Sequence, residues 1–285
     1  MKKEVFIGLL LSAMAAGAFA QDNAGIYSFN VGSFEVHMLV EVERPGTTEI
    51  LIDASDALLE RYIPRDGFLS SINTFLIKTP QMIILIDTGF GQALLEHMDK
   101  LEIAPADVDA ILITHLHGDH FGGLQREGRA LFPNARVYLS ERELEYWTET
   151  NVSQAAVAAL VPYGGRVETF VPSELGGNLG ELFPGIFPIA TYGHTPGHTV
   201  FLIDNGGEQL LVWGDIMHAA PVQFPKPDIS VTYDTNPKAA AVARWQILNY
   251  AAKNNISIVG IHLAYPGVGT VDPDGSGGYK FTPAN

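Results

Sequence analysis

Short apolar runs, each bounded by glycine, proline or polar turn residues, recur along this chain, and most are of strand length. Ile26 to Val31, a Gly32-Ser33 turn and Phe34 to Val42 read as a hairpin of alternating character. Thr74 to Ile77 and Met82 to Ile86 read as two further strands, the second ending in Asp87-Thr88-Gly89. A helix is expected over Gln92 to Lys100, followed by a wholly apolar strand over Ala110 to Ile113. Val137 to Leu139 reads as a strand, Ser140-Glu141-Arg142-Glu143 as a capping box opening a helix through Trp147, and Gln154 to Leu160 as another helix. The second half repeats the style, with strands at Val167 to Phe170, Ile186 to Ala190, Thr199 to Ile203 and Gln209 to Trp213. A long helix from Pro237 to Lys253 and a strand from Ile256 to Ile261 complete the pattern. Pro221 to Pro237 is the longest stretch without periodicity, and such loops in compact domains often line sites.

Composition narrows the class. Of 285 residues, 47% are hydrophobic and 17% charged, enough apolar material for one globular domain. Residues 1–20 read as a secretion signal: Lys2 and Lys3, an apolar Val5 to Ala16, then Ala18-Phe19-Ala20 before Gln21. Residues 21–285 are then a single domain, with no membrane anchor after signal cleavage, because the apolar stretch is short for a span. The absence of cysteine excludes disulfides and a lipidated N-terminal Cys, so a soluble periplasmic or secreted protein is expected. A formal charge of −15 without any Lys/Arg cluster argues against nucleic acid as a partner and leaves a small-molecule substrate.

Directly after the Ala110 to Ile113 run comes Thr114-His115-Leu116-His117-Gly118-Asp119-His120. Period two puts His115 and His117 on one side, while Asp119 and His120 fall in the following turn. Imidazole nitrogen and carboxylate oxygen are the ligands that a borderline ion such as zinc accepts, so one short segment feeds a metal site. Further candidates stand at later strand ends: Gly193-His194-Thr195-Pro196-Gly197-His198, Trp213-Gly214-Asp215 and Gly260-Ile261-His262. His37 and His97 lie outside these clusters and are read as structural.

The ordered set H-x-H-x-D-H, H, D, H resembles that of the metallo-β-lactamase superfamily hydrolases, over essentially the whole length after the signal. The resemblance implies an α/β (α+β) fold, an αββα sandwich of two mixed β-sheets flanked by helices, with the site along one edge. It assigns His115, His117 and His198 to one divalent metal ion and Asp119, His120 and His262 to a second, with Asp215 bridging two zinc ions. Water shared by such ions is the expected nucleophile, since coordination lowers its pKa from ~15.7 towards ~7. Asp119 and Asp215 are thereby catalytic as well as ligating. Asp87 resembles the family's carboxylate behind the ligands, and His194 is expected either to orient its turn or to support His198.

His218, three residues past Asp215, stands where the homoserine-lactone lactonases of this fold carry a substrate-holding tyrosine. An imidazole there could donate the same hydrogen bond or pass a proton to the leaving group, so His218 is a third catalytic candidate. Ala219 to Phe224, Asn236 to Ala241, His262 to Gly267 and Gly278-Tyr279-Lys280 are together similar to the exported methyl parathion hydrolase-like branch. In that branch a tryptophan in the place of Trp147 lines an aromatic substrate pocket, with Phe90 and Phe224 as expected neighbours. The implied reaction is cleavage of an ester-like bond, a lactone or carboxylic ester, with organophosphate triesters as a promiscuous activity. A glyoxalase II-like thioester hydrolase is disfavoured by export, and a cysteine-using β-lactamase by the lack of cysteine. A non-catalytic metal- or ligand-binding protein on the same fold is disfavoured by the complete ligand set. Hydrophobic content and kinship suit a homodimer.

Overall fold

The computed structural model describes residues 25–284, so the expected signal over residues 1–20 lies outside the described residues. The first sheet is built by β1 (Ile26–Val31), β2 (Phe34–Pro45), β3 (Leu69–Lys78), β4 (Ile83–Ile86) and β5 (Ala110–Leu112). A small separate hairpin, β6 (Gln125–Arg126) and β7 (Arg129–Ala130), precedes β8 (Arg136–Ser140) and β9 (Val167–Phe170), which complete that sheet in the order β1-β2-β3-β4-β5-β8-β9. The second sheet runs β10 (Ile186–Ala190), β11 (Thr199–Asn205), β12 (Glu208–Val212), β13 (Ser257–Val259), β14 (Val268–Pro273), β15 (Tyr279–Pro283), in chain order. The last two strands were not expected from the sequence: their Pro-, Gly- and Asp-rich composition hides a pairing that is fixed by the neighbouring strand. Helices α1 (Asp56–Tyr62), α2 (Ala93–Lys100), α3 (Gly118–Phe121), α4 (Glu141–Glu145), α5 (Gln154–Leu160), α6 (Ala220–Gln223) and α7 (Pro237–Asn254) fill the connections.

Period-two alternation decides the layering. Ile84 and Ile86 of β4 join Phe201 of β11 and Leu210 and Val212 of β12 in a core between the sheets. Leu85, pointing the other way, packs with Leu94 and Met98 of α2 on the outer face of the first sheet. Leu211, between Leu210 and Val212, packs with Ile247, Leu248 and Ala251 of α7 on the outer face of the second. The result is the expected sandwich of two sheets with helices outside. No helix among the described residues is long and apolar enough to cross a membrane.

Parallel pairing puts the chemistry on one edge. β4 runs parallel to β5, and β12 parallel to β13, so each pair delivers its carboxyl ends, and the loops that follow, together. Those loops carry Asp87, the His115 to His120 segment, Asp215 and His262. Glu41 of β2 braces the first of them, accepting the Gln92 and Leu94 backbone N–H groups at 2.7 and 2.6 Å at the start of α2.

The capping box expected at Ser140 does not form. The Ser140 hydroxyl makes no cap bond, and the Glu143 carboxylate is buried and turned inward. The helix also gives way to a π-helical turn over Tyr146–Thr150.

Leu211→Ala is expected to cost about 2–5 kcal/mol in chemical denaturation, as a cavity under α7, whereas Val242→Ala on the exposed face of the same helix stays within about 0.5 kcal/mol.

Candidate metal centre

Beyond β5 the chain leaves the sheet, and its imidazoles meet those of the turn before β11. His115 Nε2 lies 3.0 Å from His117 Nδ1, which lies 3.0 Å from His194 Nε2. Ring nitrogens packed this closely set lone pair against lone pair unless something positive sits between them. Burial, reinforced by the neighbouring His194, holds His117 down to about 3, and burial with His120 beside it holds His115 well below the ordinary histidine range. Both are therefore neutral imidazoles, the form that ligates metals.

A second group faces the first across Asp215. Asp119 Oδ1 is 3.7 Å from His120 Nε2, and Asp119 Oδ2 is 3.6 Å from His262 Nε2. Asp215 turns Oδ2 towards His194 Nε2 at 3.1 Å and His115 Nε2 at 3.5 Å, and Oδ1 towards His120 Nε2 at 3.1 Å and His262 Nε2 at 3.2 Å. Burial would raise its pKa, yet His120, His262, His115 and His218 hold it well below the carboxylate range. It stays ionised, with Oδ2 nearest the first group and Oδ1 nearest the second, while His262 Nε2 also lies 3.3 Å from Oδ2.

The donor set fits two divalent ions. His120 Nε2 and Asp215 Oδ1 are buried without a hydrogen-bond partner although only 3.1 Å apart, as expected of two atoms aimed at a common ion. Burial opposes charging of His120, His194 and His262, but the carboxylates around them prevail, and His194 rises to about 9. The cluster calls for positive charge at its centre, which cations would supply in place of those protons.

Each ligand is aimed by a partner behind it. Asp87, fully buried at a left-handed φ of 56°, accepts His120 Nδ1–H at 2.7 Å, the Thr114 hydroxyl at 2.7 Å and Thr114 N–H at 2.8 Å. His262 Nδ1 donates to the Ser71 carbonyl at 2.9 Å, and His194 Nδ1 to Asp234 Oδ1 at 2.8 Å.

Glu143 braces both histidine segments at once. Oε1 accepts Leu116 N–H at 2.8 Å and the Trp147 indole N–H at 2.6 Å; Oε2 accepts the Thr195 hydroxyl at 2.7 Å and Gly197 N–H at 2.8 Å. Burial raises its pKa while these four donors oppose the rise. Arg244 of α7, equally buried and lowered by burial to about 10, ties the irregular stretch together by donating to the carbonyls of Ile216, Pro227 and Ile229.

The geometry exchanges the expected roles of His194 and His198. His198 Nδ1 is spent on the Thr191 hydroxyl at 2.7 Å, and its Nε2 accepts Asp215 N–H at 2.9 Å, so neither nitrogen is left for an ion. His194 instead groups with His115, His117 and Asp215. His198 sits close behind the shared carboxylate: a Cβ on Gly214, itself at φ 56°, would stand 2.6 Å from His198 Nε2. Thr-Pro-Gly separates the two histidines, and both are buried: His194 within the cluster and His198, immediately before β11, against Thr191.

A cavity of about 680 Å³ opens onto the cluster, lined by His117, Asp119, Asp215, His218 and His262 together with Ile50, Ile72, Phe90 and Tyr233. Trp147 and Phe224 are not in the lining: the Trp147 ring packs against His117 at 5.5 Å with its N–H on Glu143, and Phe224 stacks on Phe281 in the core. His218 lies in the lining, its ring stacked on His262 at 4.7 Å, and Nε2 is 3.1 Å from Asp215 Oδ2. Burial lowers its pKa to about 4.

Asp234 and Arg244 are not singled out by the sequence, Glu143 reads there only as part of a helix cap, and Tyr233 only as an aromatic of the irregular stretch. Of the first two, only Arg244 left a signal, as a charge on a helix face otherwise made by Ala240, Ala243, Ile247 and Ala251.

Comparison with known proteins bears on the fold and the family. The solved hydrolase AbOPH of the beta lactamase superfamily superposes with a TM-score of 0.83 at 29% identity, covering 92% of this chain and 98% of that one. AidC, a dizinc quorum-quenching lactonase in complex with a product, shares the fold with a TM-score of 0.81 at 24% identity over 92% of this chain and 98% of its own. Among curated proteins, YobT of Bacillus subtilis, which is uncharacterized, is 28% identical over 52% of this chain and 62% of its own length. A hydroxyacylglutathione hydrolase of Francisella tularensis subsp. novicida is 29% identical over 56% of this chain and 54% of its own. The chain therefore spans less than two thirds of the length of these curated relatives. Residues 67–249 match the family model for the Metallo-beta-lactamase superfamily, and the chain belongs to that superfamily.

Proposed function

We propose that this protein is a two-metal hydrolase that cleaves a carboxylic ester or lactone, with phosphotriesters as a secondary substrate class. One observation carries the reading: a buried carboxylate, Asp215, turns each oxygen to a different set of imidazoles at the floor of a cavity of about 680 Å³. His115, His117 and His194 would hold one ion and Asp119, His120 and His262 the other, with Asp215 shared. Two divalent ions so held would supply an acidified water and an electrophilic contact for the scissile oxygen.

The chain's own groups do the rest. Asp87, Asp234 and the Ser71 carbonyl fix which ring nitrogen of His120, His194 and His262 faces the centre. His218, neutral, is placed to donate Nε2–H to Asp215 Oδ2 and so to hold the shared carboxylate in position, while its ring meets the substrate. Ile50, Ile72, Phe90 and Tyr233 offer apolar contact to an acyl or leaving group, which suits esters better than nucleic acid. The signal-like residues 1–20 support action outside the cytoplasm, with zinc as the metal that the His/Asp donors suit.

The reading is tested by stripping the protein with a chelator, reloading it with zinc, and assaying lactones, aryl esters, phosphotriesters, thioesters and β-lactams. Turnover of lactones or esters should vanish and return with zinc; fastest turnover of thioesters or β-lactams, or none of any class at full metal loading, would refute it. His194→Ala should lose one equivalent of metal, measured by elemental analysis, while His198→Ala keeps both and loses about 10–100-fold in activity. The opposite pattern would restore His198 as the ligand. His218→Ala should lower kcat about 10–100-fold with both ions retained; unchanged kcat would leave His218 without a part.

A further inference from the structure

One wall of the cavity carries positive charge and hydrogen-bond donors with nothing in the protein to receive them. Arg44, near the end of β2, is exposed and lines the cavity, where the other charged lining residues are the carboxylates Asp119 and Asp215. Among the described residues no hydrogen bond, ion pair or aromatic ring engages its guanidinium. Glu43, the acid beside it, is directed elsewhere by strand alternation: its Oε2 accepts the Ser71 hydroxyl at 3.2 Å and Tyr265 N–H at 2.9 Å.

Two hydroxyls stand with it. Ser70 is the direct antiparallel partner of Arg44, so their side chains share a face, and Ser70 also lines the cavity with its hydroxyl unengaged among the described residues. Thr47, also in the lining, accepts Glu49 N–H at 3.2 Å and keeps its own proton to donate. A forked guanidinium with one hydroxyl on the same strand face and another in the same lining matches a carboxylate. In a chain carrying −15 overall, an unneutralised cation at this place does not arise from a generally basic surface.

We propose that Arg44, with Ser70 and Thr47, forms a subsite for an anionic carboxylate at the end of the substrate remote from the bond that is cleaved. The substrate class is accordingly an ester or lactone with an apolar middle, lying against Phe90 and Tyr233, and a terminal acid. The inference rests on the cavity being the substrate site proposed above, but its test reads binding and so is decided whether or not any ester is hydrolysed.

The test is calorimetric titration of the zinc-loaded protein with adipate, suberate and sebacate, each against the monocarboxylate of equal length: hexanoate, octanoate and decanoate. At least one diacid should bind about tenfold or more tightly than its monoacid partner, the worth of a charge-assisted contact. In Arg44→Gln that ratio should collapse towards one, and in Arg44→Lys it should be partly kept. Equal binding of diacids and monoacids by the native chain, or a diacid preference that survives Arg44→Gln, would overturn the subsite. Ser70→Ala provides a second reading, with a smaller loss of the same ratio expected, and no loss in either variant counts against the proposal.

Discussion

A single ionised carboxylate buried among imidazoles is the constraint to which the rest of the molecule answers. An isolated buried charge is prohibitively costly, so Asp215 is tolerable only because positive or polarisable groups meet both of its oxygens. With Oδ2 facing His115 and His194, and Oδ1 facing His120 and His262, it stands between two halves of one cluster, and two cations held there would repel less with the carboxylate between them than without it.

Holding that cluster requires segments far apart in sequence to agree within about 0.5 Å. Parallel pairing of β4 with β5 and of β12 with β13 brings the strand ends to one edge, but sheets alone do not aim rings. The aiming falls to buried groups that never reach the cavity: Asp87 behind His120, Asp234 behind His194, and Glu143 joining the loop between His115 and His117 to the turn at His194. Arg244, reaching from α7 to the Pro227 and Ile229 carbonyls of the irregular stretch and to the Ile216 carbonyl beside Asp215, keeps that stretch in place where it supplies Asp234 and Tyr233. Buried polar networks of this kind favour one arrangement, because each group left unmatched is costly.

Much of this was legible in the residues. Unbroken apolar runs such as Ile84-Leu85-Ile86 and Leu210-Leu211-Val212 already state that both sheets are covered on two faces, and the H-x-H-x-D-H segment names its own chemistry. The failures have physical causes. His194 and His198 have identical chemistry four residues apart, and only the turn geometry, with Thr191 and Asp215 N–H filling the second ring, tells them apart. Glu143 has the spacing of a helix cap, and its use by Leu116, Trp147, Thr195 and Gly197 is a tertiary fact. Trp147 was expected on a substrate wall, where any large aromatic near the site is a candidate; its indole N–H instead commits it to Glu143. Arg44 lies on a polar strand end that local pattern reads as solvent-exposed, and only closure of the cavity gives it a neighbourhood.

The central claim, two ions sharing Asp215 with His194 rather than His198 on the first, is tested most directly by anomalous diffraction at the zinc edge from crystals of the zinc-loaded protein. Two peaks flanking the Asp215 carboxylate are expected, one contacting His115, His117 and His194 and the other Asp119, His120 and His262. A single peak, or a peak contacting His198 in place of His194, would contradict it.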